Sequence, residues 1–160
     1  MRSKSREGHQ ACLENAFRYL SYRPRSEAET RSHLQKKGFD ARTLEGTMIE
    51  LRRRGLLDDA AFARFWIENR ESFSPRSKAM LRWELRRKGI AAEAVAQATE
   101  EIDDEESATR AAVKIAGRLS GTDYETFRQR IGTFLKRRGF RYEVAQHTIS
   151  SLWQGRNDDA

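Results

Sequence analysis

The chain has 160 residues, of which 38% are hydrophobic and 34% charged. That is enough apolar material for a folded protein but little for one compact core, so a thin core or an elongated fold is expected. Two prolines, ten glycines and an excess of Ala, Leu, Arg and Glu argue against strands and for an all-α chain, while the formal charge of +7 favours polyanions or acidic protein surfaces as partners.

In chain order, residues 1–8 read as a flexible tail, and residues 1–10 lack the apolar run of a secretory signal. Leu13, Ala16, Phe17 and Leu20 recur on one helical face and predict a first helix, in which the single cysteine, Cys12, serves as small apolar packing. With no second thiol it can form neither an internal disulfide nor a metal pair, which fits a reducing compartment. Pro24 then precedes Ser26-x-x-Glu29, the spacing of a capping box that opens a second helix. That helix carries Thr30 and Leu34 four residues apart, with Thr weakening the apolar pair, and closes on Leu34-Gln35-Lys36-Lys37-Gly38-Phe39. The glycine can take the left-handed conformation beyond a helix end, and the lysines face the negative end of the dipole. Asp40 can cap a third helix lined by Leu44, Met48 and Leu51, which ends in Arg52-Arg53-Arg54.

The same order then repeats. Asp58-Asp59 supplies an N-cap and dipole-matched charge ahead of Phe62, Phe65 and Trp66. Pro75 precedes a helix with Leu81 and Leu85 that closes on Leu85-Arg86-Arg87-Lys88-Gly89-Ile90, and Val95, Ala98 and Ile102 line the next. The third round has Ala108, Ala111, Ala112, Ile115 and Leu119, a cap at Asp123, Ile131 before Leu135-Lys136-Arg137-Arg138-Gly139-Phe140, and finally Val144, Thr148 and Leu152. The signature glycines fall 51 and 50 residues apart, the mark of tandem structural repeats. The expected architecture is an elongated, curved array of three tandem three-helix repeats at 9–57, 58–104 and 105–153, with a second flexible tail at 154–160. The least regular joints, 70–77 and 120–123, are where flexing is expected.

Catalytic chemistry is missing from the pattern. His9, His33 and His147 have no metal-ligand partners at zinc spacing, and no H-E-x-x-H, C-x-x-C, G-x-S-x-G or G-x-x-x-x-G-K-[ST] occurs. Neither an enzyme, a cofactor nor a resident metal is expected. Asp58-Asp59 and the run Glu100, Glu101, Asp103, Asp104, Glu105 and Glu106 could hold Mg²⁺, but a helix cap and a solvated junction between repeats explain them more simply. No segment reaches the roughly 20 apolar residues of a membrane span.

The basic residues are the remaining signal. Any one cluster is explained as a dipole-matched helix end. Recurrence at one place in three stacked repeats instead implies cations at regular intervals, suited to a nucleic-acid backbone or to a helical protein filament bearing acidic residues. Arg76, Lys78 and Arg82 join the three signature clusters and Arg52-Arg53-Arg54. Trp83 and Tyr142, the nearest aromatics, read as packing residues, and no base-reading module is present.

Taken together, these motifs resemble the RecX family of bacterial recombinase regulators over 13–153. Arg25-Ser26-x-x-Glu29 with Leu34-x-x-Lys37-Gly38-Phe39 is similar to the family's first-unit pattern, and Leu57-Asp58-Asp59-x-x-Phe62-Ala63 to its most recognisable motif. Glu84-Leu85-x-x-Lys88-Gly89-Ile90 and Arg138-Gly139-Phe140 resemble the later two, whereas Thr30 and Ser77 stand where the family usually carries Leu and often Gly. The resemblance implies a monomeric cytoplasmic protein that binds the RecA filament on single-stranded DNA, lies in its groove, and suppresses ATP hydrolysis, strand exchange and coprotease activity. Direct contact with DNA through the basic clusters is a further expectation. By position, the implied contacts are Arg25, Lys36, Lys37, Arg52, Arg53, Arg54, Arg76, Lys78, Arg82, Arg86, Arg87, Lys88, Lys136, Arg137 and Arg138. Ser26, Glu29, Gly38, Asp58, Asp59, Phe62, Gly89 and Gly139 would be structural supports.

Overall fold

The computed structural model describes residues 2–158, and among them every regular element is an α-helix. The first module comprises α1 (Arg2–Tyr22), α2 (Glu27–Lys36) and α3 (Ala41–Arg53); the second α4 (Asp59–Phe73), α5 (Lys78–Arg87) and α6 (Ala92–Thr99); the third α7 (Asp104–Arg118), α8 (Tyr124–Arg137) and α9 (Tyr142–Asp158). Both expected tails differ from this, because α1 already includes 2–8 and α9 continues through 154–158. Neither stretch contains a proline to stop the helix. The rest of the two tails lies outside the described residues. The irregular stretch at 70–77 is also shorter than its composition suggests, since α4 runs on to Phe73 before Pro75 ends it.

The chain divides into two compact units that cut across the middle module. The first takes the chain up to Trp66 together with Leu85–Ala98, and the second takes Ile67–Glu84 with everything from Thr99 onward. In the first unit Cys12, Leu13 and Ala16 of α1 meet Leu34 of α2 and Leu44, Met48 and Leu51 of α3. These are the positions that the 3.6-residue period places on one face of each helix. Thr30 is fully buried as well, and its hydroxyl donates to the Ser26 carbonyl at 3.0 Å, so the hydroxyl enters the core with its bond made. In the second unit Ala108, Ala111 and Ala112 of α7 pack with Phe127, Ile131 and Leu135 of α8 and Ile149 of α9.

Helix ends follow the local signals closely. Ser26 and Glu29 form a complete capping box on α2. Asp40, Asp103 and Asp123 cap α3, α7 and α8 through their carboxylates, and Asp58 accepts the Ala61 N–H at 3.0 Å at the start of α4. At the other ends Gly38, Gly89 and Gly139 adopt φ of +86°, +79° and +87°. In the second and third modules the residue after glycine bonds back five positions, Ile90 N–H to Leu85 C=O and Phe140 N–H to Leu135 C=O, both at 3.1 Å.

Candidate partner-binding surface

The modules are joined by one device, seen once in each unit. In the first unit the C-terminus of α5 abuts the N-terminus of α2: Ser26 Oγ donates to the Lys88 carbonyl at 2.6 Å, and a Cβ on Gly89 would stand 2.4 Å from the Ala28 Cβ. Asp59, the first residue of α4, reaches back to accept the Glu27 N–H at 2.9 Å. In the second unit the C-terminus of α8 abuts the N-terminus of α5: Ser77 N–H donates to the Arg138 carbonyl at 3.1 Å, and a Cβ on Gly139 would meet Ser77 Oγ at 2.6 Å. Asp104 of α7 accepts the Lys78 N–H at 2.8 Å. A negative helix end thus faces a positive one at each joint, and a carboxylate from the following module satisfies an orphan N–H.

This geometry redistributes the expected contact residues. The basic residue next to each joint glycine turns inward. Lys88 Nζ bonds Glu29 Oε1 at 2.8 Å and sits 5.2 Å from the Trp66 ring. Burial alone would raise the Glu29 pKa, but hydrogen bonds from Arg23, Lys88 and the Ser26 N–H hold it down at about 2. Arg138 bonds the Ser74 hydroxyl and the Pro75 carbonyl and lies over the Phe134 ring at 4.7 Å. Burial, and then the like charges of Arg76 and Arg70, push its pKa down.

Several other cations are held by partners, some at helical spacing and some far away in sequence. Arg52 forms a fork on Glu27 at 2.7 and 3.0 Å, Arg53 and Arg54 share Glu50, and Arg76 and Arg70 both pair with Glu84, only 7% exposed. Arg25 lies 4.1 Å from the centroid of Tyr19, whose other contact is a stacked His33. Lys78 reaches the Glu100 carbonyl and Arg82 the Thr99 hydroxyl. These residues shape the modules first. Lys36, Lys37, Lys136 and Arg137 are exposed and form no ion pair among the described residues, and Arg86 and Arg87 are also exposed.

Cations gather in several surface depressions, two of which include joint residues. In the first unit a polar groove of about 350 Å³ is lined by Tyr19, Glu29, His33, Lys36, Arg87 and Lys88, bringing signature residues of the first and second modules together. Burial and then Lys37, Arg25 and Lys36 lower the His33 pKa, so the imidazole is neutral at pH 7 and the groove remains cationic. In the second unit a larger cleft of about 810 Å³ is lined by Arg110, Lys114 and Arg118 of α7, with Phe73, Phe134 and Arg138. The α7 row was legible as R-x₃-K-x₃-R at helical period but was missed. Phe73 is 81% exposed, and Trp83 and Tyr142, expected to be packing residues, are exposed as well. Among the described residues no group of three or more His, Cys, Asp or Glu side chains could hold a metal ion, and no helix is long and apolar enough to cross a membrane. Asp58 and Asp59 act on separate helix ends, and Asp103 and Asp104 do the same at the next joint.

Comparison with known proteins agrees with the three-module architecture. The chain matches the models for the first, second and third three-helix domains of RecX over 12–51, 58–98 and 103–149. It is 36% identical to the regulatory protein RecX of Amycolatopsis mediterranei, covering 89% of this chain and 83% of that one. Against the regulatory protein RecX of Prosthecochloris aestuarii it is 35% identical, with 88% and 92% covered. The crystal structure of RecX from Lactobacillus salivarius shares the fold with a TM-score of 0.72 at 22% identity, over 95% of this chain and 98% of that one. On these matches the chain, with all three of the family's three-helix domains matched, belongs to the RecX family of regulatory proteins.

Proposed function

We propose that this chain regulates RecA by binding its nucleoprotein filament on single-stranded DNA, inhibiting ATP hydrolysis, strand exchange and coprotease activity and so modulating recombination, DNA repair and the SOS response. It acts by binding, as a cytoplasmic monomer, and any ATP turned over is hydrolysed by the filament. The observation that carries this reading is the recurrence of exposed cations at the close of all three second helices, Lys36-Lys37, Arg86-Arg87 and Lys136-Arg137. Cations repeated with a structural module suit a polymer whose own subunits repeat. The test is ATP turnover by RecA on single-stranded DNA with this chain added. Turnover should fall at stoichiometric amounts, and unchanged turnover would overturn the proposal. Reversing Lys136 and Arg137 to Glu should weaken inhibition and leave helicity intact, because neither has an ion pair to lose among the described residues.

The α7 cleft favours a second reading, direct binding of single-stranded nucleic acid without RecA. Arg110, Lys114 and Arg118 repeat every ~6 Å along the helix axis, and the exposed Phe73 ring beside them offers a stacking face. Naked-DNA binding that weakens steeply with salt, with no effect on RecA, would establish this reading over the first.

A further inference from the structure

The three modules differ at one position of the second helix, seven residues before the signature glycine: Arg31, Arg82 and Gly132. In the first module Arg31 of α2 crosses to α3 and pairs with Glu45. In the second, Arg82 of α5 crosses to α6 and bonds the Thr99 hydroxyl at 2.9 Å. In the third nothing crosses from Gly132, and a groove of about 470 Å³ lies open between α8 and α9. Its floor and walls include Gly132, Phe140, Tyr142 and Ala145, with Arg128 and Lys136 on the rim.

Neither backbone conformation nor packing demands this glycine. It lies inside α8 without a positive φ, and a Cβ there would meet only Ile149 Cδ1, at an ordinary 3.8 Å. A helix-interior glycine costs about 1 kcal/mol relative to alanine, so the third module bears that cost while keeping the groove open. The side chain lining the mouth is also unusual, because Tyr142 is 71% exposed although aromatic.

The geometry points to the α8–α9 groove as a docking site for an apolar side chain carried on an acidic segment of a partner protein. Charge chooses the occupant. Among the described residues no carboxylate lines the groove, Lys136 has no ion pair, and Arg128 is held only by the exposed Glu125 at 2.6 Å. Gln146 stands where the first module has Glu45, so the groove vacated by the arginine also lacks the acid that would attract a cationic guest. An apolar anchor beside a tyrosine, rimmed by cations, is the composition of a binding hot spot.

The inference rests on the filament reading above, and RecA filaments on single-stranded DNA are therefore the probe. The decisive variant is Gly132→Arg, which restores the side chain that both sister modules accommodate and makes the chain more basic. It should bind filaments about tenfold more weakly or worse, with a Tm no lower than that of the unsubstituted chain. Gly132→Ala should raise the Tm and keep binding within about twofold, because one methyl leaves the groove open. Tyr142→Ala should also weaken binding. Filament binding by the unsubstituted chain that persists undiminished in Gly132→Arg overturns the docking site alone. Failure of the unsubstituted chain to bind filaments overturns the docking site and the filament reading together. Loss of binding to naked single-stranded DNA in Gly132→Arg, with filament binding intact, would replace the protein segment with a nucleic acid as occupant.

Discussion

The joint in the first unit and the joint in the second share a backbone plan and differ in charge. Both place a left-handed glycine against the start of a second helix, and both recruit an aspartate from the next module. In the first, Lys88 finds Glu29, a carboxylate already engaged by Arg23 and by the capping box. In the second, Met80 occupies the place of Glu29, and Arg138 must rely on a hydroxyl and a carbonyl beside Arg76 and Arg70. The close steric fit is the common requirement, whereas charge compensation is particular to each joint. One joint is neutralised internally, and the other keeps positive potential facing the cleft of α7.

The largest expected effect tests the shared part. Gly89→Ala combines a positive φ with a Cβ driven into Ala28, and should cost about 3 kcal/mol in chemical denaturation. Gly38→Ala has the φ but open space around it, and should cost only about 1 kcal/mol. Equal losses would mean that the close approach at Gly89 carries no stability.

Acid sharpens the difference in charge. The folded pKa of Glu29 is depressed, so the stabilisation it supplies is fully present above its ordinary pKa of 4.5 and is lost as pH falls through about 2. That loss is on the order of 2 to 3 kcal/mol, and Glu29→Gln should flatten it, as followed by denaturation between neutral and acid pH. Nothing comparable is expected from the joint where Met80 replaces the acid. The smallest effect concerns the aspartate shared by both plans. Asp59→Ala should cost about 1 kcal/mol, while Asp59→Asn should lose less, because burial and then the neighbouring Glu27 and Asp58 carboxylates already raise the Asp59 pKa. A loss as large for Asn as for Ala would show that the charge, not the acceptor, matters there.

Much of the fold is legible along the chain because it is local. The S-x-x-E of Ser26 and Glu29, the capping aspartates and the glycine after each second helix all act within one turn of their own position. The candidate surface was harder to read because its outcome depends on partners far away in sequence. Lys37 and Lys88 look equivalent beside their glycines, yet one is exposed and the other meets Glu29, 59 residues away. Arg52 is tied to Glu27 in the same way, across 25 residues. The groove beside Gly132 is an absence of side chain, visible only once Arg31 and Arg82 are seen crossing between helices in the sister modules.

The borrowed caps also give the array a grammar. The second helices of the first two modules each add to their own capping serine, Ser26 or Ser77, a carboxylate from the module that follows, Asp59 for α2 and Asp104 for α5, whereas α8 begins under Asp123, its own immediate predecessor in the chain. Each of the first two modules therefore has one second-helix N–H, that of Glu27 or Lys78, whose acceptor comes from its successor. A shortened chain that stopped after α6 would leave the Lys78 N–H without its acceptor, so modules cannot be trimmed from the C-terminus or reordered at will.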